Sequence, residues 1–295
     1  MSCFAMESGA RITMDCGVRQ LGKGEDFVFA GNGIDLEEGN QPFHFILVMD
    51  GHGGKSCIGI IREMSVDELT RLVAHRDPVM AIGGHIRMHR FAYATNSGAT
   101  LSLAKVYGDR VKTFNVGDSR TFVYVNGQLA HTNKIHDIDN PAEAARLSEL
   151  FARNGEAYQL ESSRTPQVLS PTRMTMIKSD RVYYPSGAVC AVTQSMGHHD
   201  EFGYAPDVGV VEFSEKDVVS VVAATDGLFD IVNLNSPAEI DALMTMDSPA
   251  LLDFAESRWK QSWEYVDTSG SVISADARFP DWDDVGVATL TVAGL

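Results

Sequence analysis

The sequence predicts an α+β fold in which two antiparallel sheets are flanked by helices. Three observations lead there. Strand-like apolar runs are grouped, and helix-like segments are grouped apart from them, instead of alternating as βαβ units. The runs "GATLSLAKVY", "RVKTFNVG" and "RTFVYVNG" are separated only by "GD" and "DS", and Asn126-Gly127 follows the third. Gaps that short are hairpin chemistry and impose antiparallel pairing. Finally, "FHFILVM" before Asp50 is almost unbroken apolar sequence, the pattern of a strand covered on both faces.

The first strands are "ARITMD" and "DFVFAG", followed by "FHFILVMD". One helical stretch, "KSCIGIIREMSVDELTRLVAHR", carries Ile60, Ile61, Met64, Leu69, Leu72 and Val73 at roughly helical spacing. Residues 78–94 read as helix despite Gly83 and Gly84, which weaken it. After the hairpin strands, "NPAEAARLSELFARNG" is a helix with Asn140 as cap, Pro141 in the first turn and Gly155 at the exit. Residues 156–187 read as polar and irregular apart from a strand at "RMTMIK". Then come "AVCAVTQS", the apolar strand "DVVSVVAATDG", helices opening at Ser236-Pro237 and Ser248-Pro249, and a closing strand "DVGVATLTV".

A chain of 295 residues, 44% hydrophobic, supports a substantial core, and no repeat or linker divides it. One domain over residues 1–295 is expected, with a candidate flap insertion at about 156–187. The net charge of −16 argues against a nucleic-acid partner and against an anionic membrane surface. No apolar run approaches the roughly 20 residues of a membrane span. The start, "MSCFAMESGARITMD", lacks the regions of a secretory signal. Cys3, Cys16, Cys57 and Cys190 are scattered without a CxxC pair, as in reduced thiols of a cytoplasmic protein. The oligomeric state is open, with a monomer favoured.

Carboxylates recur where apolar strands end. Asp50 follows "FILVM", Asp118 follows "TFNVG", and Asp226 follows "VVSVVAAT" with Asp230 one helical turn on. Asp283 and Asp284 precede "VGVATLTV", and Glu25 and Asp26 precede "FVFAG". Any one of these is ordinarily a turn or capping residue, and "DGHGG" alone is ordinary turn chemistry. Several brought into one pocket repel unless a cation compensates, and oxygen ligands suit hard cations such as Mg²⁺ or Mn²⁺.

The segments "LVMDGHGG", "SGATLSLAKVYGDRVKTFNVGDSR", "NPAEAARL", "VTQSMG", "SVVAATDGLFDIV" and "WDDVGVATL", in this order, resemble the metal-dependent protein phosphatases of type 2C, the PPM family. The resemblance runs from about Arg19 to Val292. It implies a four-layer α-β-β-α sandwich with two central antiparallel sheets flanked by helices. It also implies a Ser/Thr phosphoprotein phosphatase with two Mg²⁺ or Mn²⁺ ions and a weaker third site. Asp50 would bridge two metals, Gly51 would offer its carbonyl, and Asp226 and Asp283 would complete the ligands. Glu25 and Asp26 would hold metal waters or ligate directly, and Asp118 and Asp230 would hold the third ion. The implied reaction is in-line attack on a phosphoprotein by a hydroxide shared between the metals, with no covalent intermediate. His52 matches the family's proposed general acid, a role suited to an ordinary histidine pKa near 6.5.

The chain also departs from the pattern. Leucine stands at position 21, where the family has a phosphate-binding arginine, so Arg19 is the expected substitute and Lys23 the alternative. Gln194 and His198 replace the usual arginine and aspartate of a later motif, leaving Asp200 or the His198-His199 pair to compensate. Asp283-Asp284 leaves the ligand register open by one residue. Arg153, Arg164, Arg173, Lys178 and Arg181 cluster in or near the candidate flap, either as a solvated charged loop or as a flap that recognises phosphopeptides or shields the site. Two other readings stand beside the active phosphatase: a catalytically weak regulatory or binding module, and a phosphatase of small phosphate esters.

Overall fold

The computed structural model describes residues 2–5, 11–89, 96–185, 187–198, 201–279 and 282–293. His199 and Asp200 lie outside these residues. Strands β1 (Ser2–Ala5), β2 (Arg11–Arg19), β3 (Asp26–Asp35) and β4 (Gln41–His52) lead into helices α1 (Ser56–Arg62), α2 (Val66–Ala74) and α3 (Pro78–His89). Next come β5 (Gly98–Ala99), β6 (Leu101–Val106), β7 (Arg110–Val116), β8 (Arg120–Val125) and β9 (Gln128–Thr132), then α4 (Pro141–Arg153). Strands β10 (Gln159–Ser170), β11 (Arg173–Tyr183), β12 (Val189–Cys190), β13 (Met196–Gly197), β14 (Asp207–Glu212) and β15 (Val219–Ala224) precede α5 (Asp226–Phe229), α6 (Pro237–Leu243) and α7 (Ser248–Lys260). The last strands are β16 (Trp263–Val266), β17 (Val272–Ala277) and β18 (Val285–Ala293).

Two sheets form the centre. One runs β1-β2-β18-β15-β8-β9, the other β13-β5-β4-β6-β7-β14 with β3 also paired to β4. Ile46 and Val48 of β4 pack with Ile12, Val123, Val221, Ala223, Ala288 and Leu290 in the layer between the sheets. The alternate residues Phe43, Phe45, Leu47 and Met49 turn outward under α1, α2 and α3. On the other side, Val222, Ala224, Val285 and Val287 meet Leu228, Leu251, Leu252 and Trp259 of α5 and α7. Side chains on a strand alternate between faces, so strands buried on both must read as unbroken apolar runs. The result is the four-layer α-β-β-α sandwich with two central antiparallel sheets flanked by helices.

Three local features differ from the sequence expectation. The helical stretch from Lys55 breaks after α1, because the Ser65 Oγ accepts from the Glu68 N–H at 3.2 Å and starts α2 afresh. At α7 the cap is Asp247, which accepts from the Ala250 N–H at 3.0 Å, while the Ser248 hydroxyl lies 3.2 Å from that of Thr289. The largest difference is in 156–187: β10 and β11 pair over nearly their whole lengths as a long hairpin. Among the described residues this hairpin belongs to a third sheet with β12, β16 and β17. Arg173 and Met174 pair in parallel with Glu264 and Tyr265. Val168 and Met174 anchor its base in the core shared with α7.

Candidate active site and metal centre

The acidic residues converge at one end of the sandwich. Antiparallel register sets Asp26 directly opposite Asp50 across β3 and β4. The β7–β8 turn supplies Asp118, and the end of β15 supplies Asp226 as the first residue of α5. One carboxylate oxygen each from Asp50, Asp118 and Asp226 lies within 4.8 Å of the others. Burial above all, and to a smaller degree the charge of Asp283 just before β18, raises the pKa values of Asp26, Asp50 and Asp118. Asp230 borders the same cleft at the C-terminal cap of α5.

The turns are fixed by close backbone approach. The Asp50 N–H donates to the Thr100 hydroxyl at 3.0 Å, and the Thr100 N–H donates to the Asp50 carbonyl at 2.8 Å. The Gly51 N–H donates to the Glu25 carbonyl at 3.1 Å, and a Cβ on Gly51 would sit 2.6 Å from Ile58. A Cβ on Gly227 would sit 1.9 Å from the Asp284 carbonyl oxygen, so only glycine lets α5 start against β18.

Electrostatically the cluster is short of cations. Burial and Asp118 push the Asp226 carboxyl up to about 7. Burial and Asp226 push Asp283 up to about 7, and burial raises Asp118 to about 6. Asp50 and Asp26 stand well above the ordinary carboxylate range, through burial and then their acidic neighbours, although the Thr225 hydroxyl donates to Asp26 at 2.8 Å. Burial also raises Glu25, against the charge of Lys23. Asp118 Oδ1 and Asp226 Oδ1 are solvent-inaccessible and have no hydrogen-bond partner among the described residues. Clustered carboxylate oxygens with unused lone pairs fit a hard divalent cation.

Asp284 serves a different purpose from its neighbour. Its carboxylate accepts from the N–H groups of Gly22 at 2.7 Å and Glu25 at 2.8 Å, and also from Gly24. It thus cinches the loop before β3, while Asp283 faces the cluster's charge. Sequence reasoning left these two undivided.

Arg19, the expected phosphate ligand, is turned to α7 in this structure. Its guanidinium donates to Asp253 at 2.8 Å and to Glu256 at 3.2 Å, both on α7, which draw it into a surface ion pair. Lys23, on the loop held by Asp284, is a cation whose charge acts on Glu25, Asp226 and Asp283, beside Lys55 at Glu25 and the buried Arg120 at Asp226.

His52 also differs from an ordinary histidine. Its Nε2 lies 2.9 Å from the Ser195 hydroxyl, which donates to the Met196 carbonyl at 2.8 Å. Ser195 Oγ also lies 3.2 Å from the Ala99 carbonyl, and two carbonyls can only accept, so we assign the hydroxyl proton to them, the ring proton of His52 to Nε2, and to Nδ1 the role of accepting from His198 Nε2 at 3.0 Å. The Cys190 thiol is a further neighbour of Nδ1 at 3.7 Å. Burial, His198 and Lys23 push the imidazole down to about 3, far from the 6.5 expected. His198 turns to His52 and stacks on Phe202 at 4.3 Å rather than joining the carboxylates. Gln194 donates to Glu143 at 2.8 Å and accepts from the Ala205 N–H at 2.7 Å, so a neutral amide completes that network. Glu143 and Ser195 are not singled out in the sequence, and Cys190 is read there only as a scattered thiol, because nothing local signals these contacts.

The cleft above the cluster has a volume of about 450 Å³. Asp118, Asp226, Asp230 and Asp283 line one side, and residues 163–168 and 177–181 of the β10–β11 hairpin line another. No helix among the described residues is long and apolar enough to cross a membrane.

Comparison with known proteins agrees with this architecture. A curated relative, "Probable protein phosphatase 2C 35" of Arabidopsis thaliana, is 27% identical over 225 residues, covering 69% of this chain. The aligned region spans 64% of that relative's length. A solved serine/threonine phosphatase of S. agalactiae superposes with a TM-score of 0.56 at 20% identity, covering 95% of this chain and 98% of that one. A serine-threonine phosphatase 2C from Toxoplasma gondii gives 0.56 at 17% identity, covering 96% and 95%. At these identities the two structures speak for the fold. The family model "Protein phosphatase 2C" matches residues 11–257, most of the chain, and the chain belongs to that family.

Proposed function

We propose that the chain is a protein serine/threonine phosphatase dependent on Mg²⁺ or Mn²⁺. The observation that carries this reading is the convergence of Asp50, Asp118 and Asp226, with two buried carboxylate oxygens left unpartnered. The names of the similar proteins support the same activity. Asp50, the Gly51 carbonyl, Asp226 and Asp283 would hold two divalent cations, with Glu25 and Asp26 behind them. Asp118 and Asp230 would hold a third. Cations bound there supply charge against the phosphoryl oxygens and acidify a water enough to attack at neutral pH.

The protein's own groups do the rest. Lys23 takes up a non-bridging phosphate oxygen as a point charge, the part expected of Arg19. Asp284 holds the Lys23 loop in place through three backbone N–H groups. His52, with both ring nitrogens engaged inside the protein, anchors the Asp50–Gly51 turn instead of protonating the leaving oxygen. The binding-module reading draws on two observations, the diverted Arg19 and the closed His52.

Phosphate release from a phosphothreonine peptide and from an aryl phosphate, with Mn²⁺, Mg²⁺ or chelator, decides among these. Release that needs metal and falls about 10³-fold or more in Asp50→Asn is expected. Equal release in chelator rejects the cation-dependent reading. No release with either metal leaves the binding module, and release from the aryl ester alone leaves a small-ester phosphatase.

A further inference from the structure

The cleft over the acidic cluster is not walled by carboxylates alone. Its hairpin wall carries Arg164, Lys178 and Arg181. Lys178 is paired with Asp180 at 2.5 Å. Arg164 and Arg181 have no carboxylate within ion-pair distance among the described residues, although Glu161 is the register partner of Arg181. Arg164 and Lys178 are themselves opposite one another across β10 and β11. They also border a second, more open groove of about 860 Å³, lined by Ser162, Thr175, Met176 and Thr268. Arg181 stands three residues from Lys178 along β11, so strand alternation turns it to the other face of the hairpin, where it too borders the cleft.

The wall contrasts with the rest of the chain, which holds 40 acidic residues against 24 Lys and Arg. An anionic peptide is repelled by such a field in general and drawn to a local cationic strip. A guanidinium fork matches a carboxylate or a phosphate better than a neutral side chain. An extended peptide advances about 3.3 Å per residue, so side chains two to four residues from the phosphoresidue lie roughly 7–13 Å along the path.

The geometry points to a substrate class: phosphopeptides whose flanking residues are anionic, read by Arg164 and Arg181 of the β10–β11 hairpin with Lys178 beside them. Carboxylates and a second phosphate share this chemistry. The inference deepens the phosphatase reading and rests on it for its kinetic expression.

The test uses phosphothreonine peptides that differ only two to four residues from the phosphothreonine, with neutral residues, Asp and Glu, or a phosphoserine there. The expected kcat/KM is about tenfold higher for an anionic peptide than for the neutral one at low salt, and the ratio shrinks at high salt. In Arg164→Ala/Arg181→Ala the ratio falls to about two or less, a comparison made within one variant and so independent of its overall activity. A larger gain from phosphoserine marks a second phosphate as the group read, and a larger gain from Asp and Glu marks acidic residues. A ratio near one in the wild type, or one that survives in the double variant, overturns the inference. If no peptide is hydrolysed with either metal, the phosphatase reading has failed, and equilibrium binding of the same labelled peptides gives the ratio instead. Tighter binding of anionic peptides that the double variant loses upholds the hairpin's role, and equal binding of all of them refutes it.

Discussion

Two regions of the central sandwich hold acidic side chains in apolar surroundings and treat them in opposite ways. Asp35, at the end of β3, is 1% exposed and fully satisfied. Lys105 donates to its Oδ2 at 2.6 Å and Tyr107 at 2.7 Å, while the N–H groups of Glu37 and Glu38 donate to Oδ1 at 3.2 and 3.1 Å. Burial alone would raise its pKa, but these hydrogen bonds hold it below the ordinary value. At the other end of β3, Arg120 shares the cleft and Lys23 acts from its loop, but among the described residues no Lys or Arg is ion-paired with Asp50 or Asp226, and their pKa values stand high. The fold therefore gives one buried carboxylate a directly bonded cation, and leaves those at the cleft without one among the described residues. The missing charge is left for something that binds.

The largest effect should come from removing one carboxylate from each region in metal-free protein. Asp35→Asn leaves Lys105 buried with its ion-pair partner gone, and a loss of about 3–5 kcal/mol in unfolding free energy is expected. Asp226→Asn removes one of several repelling charges and should raise the melting temperature in chelator, while losing the rise that Mn²⁺ gives the wild type. Calorimetry of both variants checks this, and two shifts of the same sign would erase the distinction drawn here.

The pH dependence sharpens it. Asp226 and Asp283 at about 7, and Asp118 at about 6, keep their protons longer in the folded state than in the unfolded state, where the value is 3.8. The folded protein binds more protons in that interval, so metal-free stability contributed by these groups falls as pH rises from about 4 to about 7. Asp35 behaves inversely: its stabilisation is present above 3.8 and is lost as pH falls through its lower folded value. The melting temperature of Asp226→Asn minus that of the wild type, in chelator, should be near zero at about pH 4 and grow towards about pH 8. A flat difference would refute the assignment of charge strain to the cleft.

A third contrast lies between Arg19, at the end of β2, and Lys23, on the loop before β3. Lys23→Ala should lower kcat/KM about 10- to 30-fold through weaker phosphate binding, since a charge-assisted contact contributes about 1.5–2 kcal/mol. Arg19→Ala, which breaks only a surface ion pair with α7, should change it less than about threefold. Steady-state kinetics on a phosphothreonine peptide decide the order, and a larger loss in Arg19→Ala would return the phosphate to that residue.

How far the sequence could reveal these regions follows from the range of the contacts. Strands β4 and β15 are legible because burial on both faces removes polar alternation, and Asp50 and Asp226 stand out as the polar residues that end them. The start of α2 carries a signal that the single-helix reading passes over, Ser65 followed three residues later by Glu68, a capping signature within an otherwise helical pattern. The β10–β11 hairpin was not legible, because most of its side chains are exposed or half-buried and carry little apolar periodicity. Nor was the choice between Arg19 and Lys23. It depends on Asp284 gathering a loop about 260 positions away, and on carboxylates of α7 that only the tertiary fold brings near. The pairing of His52 with Ser195 and His198 is equally non-local, at separations of 143 and 146 residues.

That last pairing gives the smallest and most specific expectation. A threonine alkoxide is a far stronger base than an aryl oxide, so a general acid matters greatly for the peptide and little for the aryl ester. If His52 donated that proton, His52→Gln would slow the phosphothreonine peptide about 10²- to 10⁴-fold beyond its effect on the aryl phosphate. With Nε2 spent on Ser195 and Nδ1 accepting from His198, the ring instead braces the turn that carries Asp50 and Gly51. Both substrates should then lose activity by the same factor, within about threefold, because each needs the same metal ligands in position. Ser195→Ala, which loosens the ring without removing it, should reproduce a milder form of the same parallel loss. A selective loss on the peptide would show that the imidazole swings free of His198 during turnover and meets the leaving oxygen after all.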